Sequence, residues 1–251
     1  EALWDVFDHQ ALFGGAPANF ACHAAAMGAQ ACMVSAVGSD ELGERALASL
    51  RSCGVDTAAV ARLDDAPTGT VRVSLDPRGV PRYTIIRGVA WDRISWSSAV
   101  EGLAARADAV CFGTLAQRED QSRRTIQRFL EAVPPTCLRV FDVNLRQDFF
   151  NRDIIEQSLA RSTVLKLNDE ELPVLADLLG LGAPDDGGRV GQLLERFALE
   201  WVVLTRGERG ATVAGRTGRA SARPEPVQVR DTVGAGDAFT AVTAMGLLAG
   251  C

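Results

Sequence analysis

The sequence of 251 residues is almost without lysine: of its 26 basic residues all but Lys166 are arginine, and only two histidines occur. A phosphate-binding loop of the type G-x-x-x-x-G-K-S/T needs a lysine after its second glycine, and none stands in such a position. The scarcity of histidine excludes a histidine-rich zinc site. Catalysis by histidine could involve only His9 and His23, which we interpret as incidental.

Other features are also missing. No apolar run reaches the roughly 18 residues of a membrane span, and no basic-then-apolar leader opens the sequence. A net charge of −6 has the wrong sign for a dedicated nucleic-acid binder. The 6 cysteines form no C-x-x-C pair, which favours free thiols in a reducing compartment. The sequence therefore predicts a cytoplasmic protein that binds neither membranes nor nucleic acids.

Short apolar runs alternate with longer amphipathic stretches, a pattern typical of strand–helix units around a mostly parallel sheet. Strands are predicted at residues 31–37, 109–112, 139–143, 164–167 and 201–205. Helices are predicted at residues 41–53, 121–132, 152–160, 169–179 and 189–197, with Ser39 and Asp40 as a cap before the first of them. The stretch 183–189, APDDGGR, has the most flexible composition.

One region departs from this rhythm. Residues 70–75 alternate apolar and polar side chains, residues 76–79 (DPRG) have turn chemistry, and residues 81–86 alternate again. This pattern predicts a β-hairpin with one exposed face. The hairpin is either a lid over a site or an oligomer contact, and alternation does not decide between them. Without an internal repeat or a linker, we expect one domain with an appended hairpin.

The densest chemical signal is the segment 231–239, DTVGAGDAF. Two glycines at the start of an apolar helix would direct backbone N–H groups at an anion, and Gly234 and Gly236 would let a phosphate approach closely. Asp237 is then a candidate acceptor for the proton of an attacking hydroxyl. The competing interpretation is a helix cap after a simple turn. A dinucleotide fingerprint is excluded because position 239 is phenylalanine.

The segment DTVGAGDAF resembles the second signature of the ribokinase-like, PfkB-type carbohydrate kinases. Further segments resemble motifs of the same family in the same order, and together they extend over essentially the whole chain. They are GGAPAN at 14–19, VGSDELG at 37–43, DVNLR at 142–146, KLNDEE at 166–171 and TRGERG at 205–210.

The resemblance implies an α/β fold, namely a three-layer α/β/α ribokinase-like fold with a mostly parallel central sheet and a small β-hairpin lid. It implies a single domain over residues 1–251, with lid segments at about 8–16 and 66–90. Relative to the family pattern, the chain is expected to be trimmed at both ends, because it begins within the first strand and stops at Cys251.

The resemblance also assigns roles to individual residues. Asp237 corresponds to the catalytic base, and Gly234, Ala235 and Gly236 correspond to the anion hole. Substrate binding is assigned to Asp5, Gly15, Asn19 and Arg146, and nucleotide binding to Asn168, Thr205, Gly207 and Thr232. Glu171 corresponds to the residue that, with Asn168, orders Mg²⁺ and its waters.

These assignments have structural alternatives. Asp5 could stand only at an exposed strand end, and Asn19 only on the polar face of a helix. Arg146 could form a structural ion pair with Asp148, and Glu171 could be a first-turn carboxylate favoured by the helix dipole.

The implied function is ATP-dependent phosphorylation of a sugar primary hydroxyl, with Mg²⁺ as cofactor. Fructose is preferred because residues 14–20, 79–92 and 142–150 together resemble fructokinases. The alternatives are a kinase for ribose, 2-keto-3-deoxygluconate or a nucleoside, and a non-catalytic sugar or nucleotide sensor. Use of a monovalent cation and a homodimer formed through the lid are further hypotheses. The one lysine, Lys166, stands just before the Asn168 element and is of interest for that reason.

Overall fold

The computed structural model describes residues 1–7, 10–75, 81–225 and 232–250. His9, the turn expected at 76–79, Asp231 and Cys251 lie outside the described residues. No helix in the part of the chain that the structure describes combines the length and the apolar character of a membrane span.

The strands are short and correspond mostly to the apolar runs of the sequence. They are β1 (Leu3–Val6), β2 (Ala11–Gly14), β3 (Ser35–Gly38), β4 (Val60–Leu63), β5 (Gly69–Leu75), β6 (Pro81–Ile85), β7 (Ala109–Phe112), β8 (Leu138–Asp142), β9 (Val164–Asn168), β10 (Trp201–Thr205), β11 (Ala211–Gly215) and β12 (Arg219–Ala222).

The helices alternate with the strands along most of the chain. They are α1 (Ala16–Ala26), α2 (Glu41–Ser52), α3 (Ser98–Ala104), α4 (Asp120–Ala132), α5 (Arg152–Ala160), α6 (Glu171–Leu179), α7 (Asp186–Arg196) and α8 (Ala235–Leu248).

The main sheet has six strands in the order β12-β11-β10-β9-β8-β7. Strands β7 to β10 run parallel, and β11 and β12 extend the sheet in antiparallel fashion. A second sheet, β2-β1-β5-β6, contains the predicted hairpin as β5 and β6, and β1 pairs parallel with β5. A parallel pair, β3-β4, forms a third small sheet. The predicted α/β class with a mostly parallel central sheet is confirmed.

Helices cover both faces of the main sheet, because alternate residues of its buried strands point to opposite sides. On one side, Leu165 and Leu167 of β9 join the core cluster that contains Leu172 of α6. On the other side, Val164 of β9 joins a cluster with Ala244 of α8. The result is a three-layer α/β/α arrangement in which α8 lies against β8, β9 and β10.

Two predicted elements differ from the structure. The strand expected at 31–37 begins at Ser35, and Cys32 forms only an isolated bridge with Asp56. The stretch 183–189, expected to be flexible, instead contains the start of α7: the Asp185 side chain caps this helix by accepting a hydrogen bond from Gly188 N at 2.8 Å. The cap stabilises a helix start that the two glycines disfavour.

Asp40 connects the start of α2 to the segment that leads into β5. Its Oδ1 accepts hydrogen bonds from Gly43 N at 2.8 Å and from Thr68 Oγ1 at 2.6 Å, and its Oδ2 accepts one from Thr68 N at 2.8 Å. Burial acts to raise the pKa of Asp40, but the hydrogen bonds from Thr68 and Gly43 together outweigh it and lower the pKa. In the VGSDELG segment at 37–43, Asp40 therefore has a structural role.

We expect Asp40→Ala to lower the free energy of unfolding by about 1–2 kcal/mol at neutral pH, because the helix loses its N-cap. The pKa of Asp40 is lower in the folded protein, so its stabilising contribution is present above the pKa of the unfolded chain and is lost as the pH falls through the folded-state pKa. The difference between wild type and variant should therefore shrink in acid. Urea unfolding at several pH values measures it.

Ser39→Ala is the matched control, because Ser39 is exposed and adjacent to the cap. It should change the free energy of unfolding by no more than about 0.5 kcal/mol. A pH-independent loss in Asp40→Ala equal to that of the control would contradict the capping role.

Candidate active site

Two helices that are distant in sequence bring the glycine-rich segments together. Helix α1 packs along α8, and Asn19 of α1 donates from Nδ2 to Asp237 Oδ2 at 2.8 Å. The two residues are 218 positions apart, so the contact exists only in the folded chain. It places an amide donor against the carboxylate that the sequence assigns as a base.

The start of α8 lies in the glycine-rich segment of the sequence. Gly234 is the N-cap with φ of 75°, a left-handed conformation that favours glycine. Ala235 N donates to Thr232 O at 3.1 Å, and Ala238 N donates to Gly234 O at 2.9 Å. The N–H groups of Gly236 and Asp237 have no acceptor inside the helix, and they lie where the positive end of the helix dipole attracts negative charge.

Burial is the largest influence on the Asp237 carboxyl and raises its pKa above the ordinary aspartate value. The hydrogen bond from Asn19 acts in the opposite direction. The charge of Asp142 also raises the pKa, whereas Lys166 and Arg146 lower it. With a raised pKa, Asp237 is a better proton acceptor than a solvated carboxylate.

Asp5 and Gly15 lie on neighbouring parts of the β1–β2 region. Asp5 Oδ2 is 3.7 Å from the place that a Cβ atom on Gly14 would occupy, so this carboxylate lies against the glycine pair. Gly15 has φ of 108° and is the N-cap of α1, and its carbonyl accepts the N–H of Asn19 at 2.9 Å. The glycine pair therefore fixes the helix start that carries Asn19. Burial raises the pKa of Asp5.

Arg146 is exposed in the loop after β8. Its charge lowers the pKa of both Asp5 and Asp237, so it acts on the two carboxylates from one place. The alternative pair with Asp148 is not formed, because Asp148 pairs with Arg87 at 3.7 Å. Arg146 is thus available to an anionic group at this site.

Asn168 and Glu171 form a compact turn at the end of β9. Asn168 Oδ1 accepts hydrogen bonds from the N–H groups of Glu170 and Glu171 at 2.9 and 2.8 Å. The Glu171 carboxylate accepts from Asn168 N at 2.8 Å and from Leu145 N at 2.9 Å. Burial raises the pKa of Glu171, and the two backbone hydrogen bonds oppose this shift. The turn therefore ties β9 to the loop that carries Arg146.

The residues assigned to the nucleotide are only partly brought together. Thr205, at the end of β10, pairs in register with Asn168 at the end of β9. Gly207 is exposed with φ of 54°, and Thr232 is exposed just before α8. None of the contacts of the described residues joins Thr232 to Thr205 or Gly207. These assignments stay predictions.

The hairpin approaches the same loop. Gln147 Nε2 donates to Tyr83 O of β6 at 2.7 Å, and Arg87 stacks over the ring of Phe149 at 4.6 Å. The hairpin is therefore in contact with the segment beside Arg146, which is consistent with a lid, although this role stays a prediction.

Sequence reasoning missed a polar cluster beneath α8. Asp142, Lys166 and Thr240 are buried and joined by hydrogen bonds. The sequence carried one signal for this cluster: Lys166 lies inside the apolar run VLKLN, and Asp142 ends the run LRVFD. Buried charges are rare unless they are paired, so two such residues indicate a candidate ion pair.

Comparison with known proteins gives the wider context. A fructokinase of Klebsiella pneumoniae is 34% identical over 246 residues, 94% of this chain and 76% of that protein. A 2-dehydro-3-deoxygluconokinase of Thermoproteus tenax is 29% identical over 236 residues, 89% of this chain and 69% of that protein.

The solved structure of an uncharacterized sugar kinase from Pyrococcus horikoshii in complex with ATP is similar to this chain with a TM-score of 0.82. The two are 25% identical, and the match covers 99% of this chain and 83% of that one. A family model described as pfkB family carbohydrate kinase matches residues 5–251. The chain therefore belongs to the pfkB family of carbohydrate kinases.

Proposed function

We propose that this carbohydrate kinase transfers the γ-phosphoryl group of ATP to a primary hydroxyl of a sugar, with fructose as the preferred substrate. The observation that carries the proposal is the hydrogen bond between Asn19 and Asp237 beside the N-terminus of α8. This hydrogen bond joins the Asn19 amide, a group suited to sugar hydroxyls, to the Asp237 carboxylate, whose pKa is raised. Both side chains lie beside the backbone N–H groups at the start of α8, which are suited to phosphate.

In the proposed reaction, Asp237 accepts the proton of the sugar hydroxyl while the hydroxyl oxygen attacks the γ-phosphorus. The bond from the γ-phosphorus to the bridging oxygen breaks, ADP leaves, and the proton remains on Asp237. The N–H group of Gly236, which belongs to the predicted anion hole, and that of Asp237 stabilise the negative charge on the transferring group, whereas the Ala235 N–H already donates to Thr232 O. Arg146 supports this by binding a phosphate oxygen in the same space.

The sugar is held by groups that bind vicinal hydroxyls. Asp5 and Asn19 supply a carboxylate and an amide. Gly15, whose Cβ position is filled by the Glu1 carbonyl, contributes by fixing the start of the helix that carries Asn19. Asn19 contacts the base directly, so it orients the hydroxyl and the base together.

The donor set at the end of β9 fits Mg²⁺. The Glu171 carboxylate keeps one lone pair on each oxygen after accepting its two backbone hydrogen bonds. No group of three or more histidine, cysteine, aspartate or glutamate side chains suited to a metal occurs among the described residues, so phosphate and water would supply most ligands. Glu171 would hold the ion and Asn168 would order its waters. The ion would neutralise charge on the phosphates.

We expect fructose to give the highest kcat/KM in a panel of sugars that includes ribose, 2-keto-3-deoxygluconate and a nucleoside. The measurement is ADP release in a coupled assay at fixed ATP, with each sugar titrated. The similarity to a fructokinase supports fructose, and the similarity to a 2-dehydro-3-deoxygluconokinase makes its sugar acid the main competitor.

The outcomes of the panel separate the hypotheses. Turnover that depends on the sugar contradicts the sensor hypothesis, because a sensor would bind the sugar without releasing ADP. A thermal shift with a sugar and ATP but no ADP release would support the sensor and contradict the proposed reaction. A preference for another sugar would keep the mechanism and replace the substrate.

Two expectations about the setting of the protein also belong to the proposal. The cysteines among the described residues are all free, which supports a reducing, cytoplasmic compartment. Leu12 and Tyr83 are about half exposed, at 51% and 54%, on β2 and β6, the edge strands of the sheet that contains the predicted lid hairpin, which supports a homodimer through that sheet. Analytical ultracentrifugation tests the dimer.

A further inference from the structure

A buried ion pair lies under α8. Lys166 Nζ and Asp142 Oδ1 are 3.0 Å apart, and their side chains are only 10% and 6% exposed. The two residues are register partners on the parallel strands β8 and β9. Lys166 shares its side of the sheet with Val164 and Val203. The pair thus occupies a place where apolar side chains would otherwise pack against α8.

The pair contacts α8 at two successive turns. Thr240 Oγ1 lies 2.9 Å from Asp142 Oδ2 and 2.9 Å from Gly236 O. Lys166 Nζ is 3.3 Å from the place that a Cβ atom on Gly236 would occupy. The ammonium is therefore beside the first turn of the helix, and the carboxylate is joined to the next turn through Thr240.

This arrangement gives the pair a direction. Its positive end lies at Gly236, nearer the N-terminus of α8, and its negative end lies further along the helix at Thr240. The pair is therefore oriented like the helix dipole, which also has its positive end at the N-terminus. At Asp237, however, the charge of Asp142 outweighs that of Lys166. The first turn is also exposed at Gly236, so the pair acts on this turn through its contacts and not through a net field.

Stability alone does not account for a charged pair at this place. Removing two charges from water is costly, and well-packed apolar side chains of similar volume often replace a buried pair without loss of stability. The surrounding valines show that the site is otherwise apolar. The cost of burying the pair therefore calls for a role beyond stability.

We propose that the Asp142–Lys166 pair positions the first turn of α8 for the transferring phosphoryl group, so that Lys166 is a positioning residue for the anion hole. The inference rests on the proposed function, because it requires the turn formed by residues 234–237 to be the site of phosphoryl transfer.

The test removes the pair as a unit in the double variant Asp142→Asn/Lys166→Met, which leaves no unpaired buried charge. Its thermal midpoint should equal or exceed that of the wild type, because the buried charges and their desolvation cost are gone. Its kcat should fall roughly 10- to 100-fold, while its KM for the sugar changes less than about threefold, because the buried pair holds the turn that meets the transferring group.

The control is a buried ion pair elsewhere in the fold. Arg118 and Asp92 are 2.7 Å apart and their side chains are 2% and 3% exposed. The variant Asp92→Asn/Arg118→Met should keep kcat within about threefold of the wild type, whatever its effect on the thermal midpoint. A fall of kcat equal to that of the first double variant would show that any lost buried pair slows the enzyme, and would overturn the inference.

A second variant covers the case in which the double variant does not fold. Thr240→Val has nearly the same shape and keeps the ion pair, but it disconnects Asp142 from α8. It should lower kcat several-fold at an unchanged KM for the sugar. If a folded double variant, or failing that Thr240→Val, keeps wild-type kcat while Asp237→Asn is inactive, the inference is wrong and the proposed function stands. If Asp237→Asn is itself active, the proposed function fails.

Discussion

Asp237→Asn should lower kcat by roughly 10³- to 10⁴-fold, the upper part of the range that a positioned general base contributes. Asparagine has the same shape but cannot accept the proton of the sugar hydroxyl. Asn19 can still donate to the remaining side-chain oxygen, so the geometry around the base is retained. The coupled ADP-release assay measures the loss, with the sugar that gives the highest turnover in the panel.

The fold should survive this substitution. Burial raises the pKa of Asp237 in the folded protein, which means that the ionised carboxylate is less favourable there than in the unfolded chain. Replacing it with a neutral amide removes that unfavourable contribution, so the thermal midpoint should be unchanged or slightly higher. Inactivity combined with a normal thermal midpoint therefore indicates lost chemistry.

A matched control for Asp237→Asn is Asp185→Asn. Asp185 caps α7, and asparagine is an equally good N-cap, so this change of one carboxylate to an amide should leave both stability and turnover unchanged. If Asp237→Asn kept near-full turnover on the true substrate, that result would falsify the role of Asp237 as the base.

The sequence predicted most of the elements because the local signals were consistent. Residues 109–112 and 201–205 are apolar runs closed by polar turns, and the strands β7 and β10 have the same bounds. The start of α7 was missed because the glycines at 187 and 188 outweighed Asp185 in an interpretation based on composition, although one hydrogen bond from a glycine N–H is enough to cap the helix.

The site was predictable to the extent that its motifs are local. The glycine-rich turn before α8 and the Asn168 element can each be recognised from a few consecutive residues. The contact between Asn19 and Asp237 depends on how α1 packs along α8, and the pairing of Asp142 with Lys166 depends on the register of two strands. Neither packing nor register is encoded by spacing along the chain, so these contacts needed the structure.

Gly15→Ala should have the second largest effect, on both stability and turnover. Gly15 has φ of 108°, and a Cβ atom at this position would lie 2.5 Å from the carbonyl oxygen of Glu1. Backbone strain of this kind costs roughly 1–3 kcal/mol, and the clash must displace either Glu1 or the start of α1. Because Gly15 O accepts the N–H of Asn19, the displacement reaches the residue that contacts the base.

A shift of about 1 Å in a positioning group can lower turnover about 10²-fold, and we expect a loss of this order in kcat/KM. Gly28→Ala is the matched control, because Gly28 follows the other end of the same helix, has φ of 93°, and a Cβ atom added to it would meet nothing within 4 Å. It should lose roughly 1–2 kcal/mol from strain and keep wild-type turnover.

Urea unfolding and steady-state kinetics on both variants separate the effects on stability and on activity. If Gly15→Ala lost no more activity than Gly28→Ala at equal loss of stability, Gly15 would contribute only to the stability of the fold. A larger loss of activity in Gly15→Ala would show that the glycine pair holds Asn19 in place for the reaction.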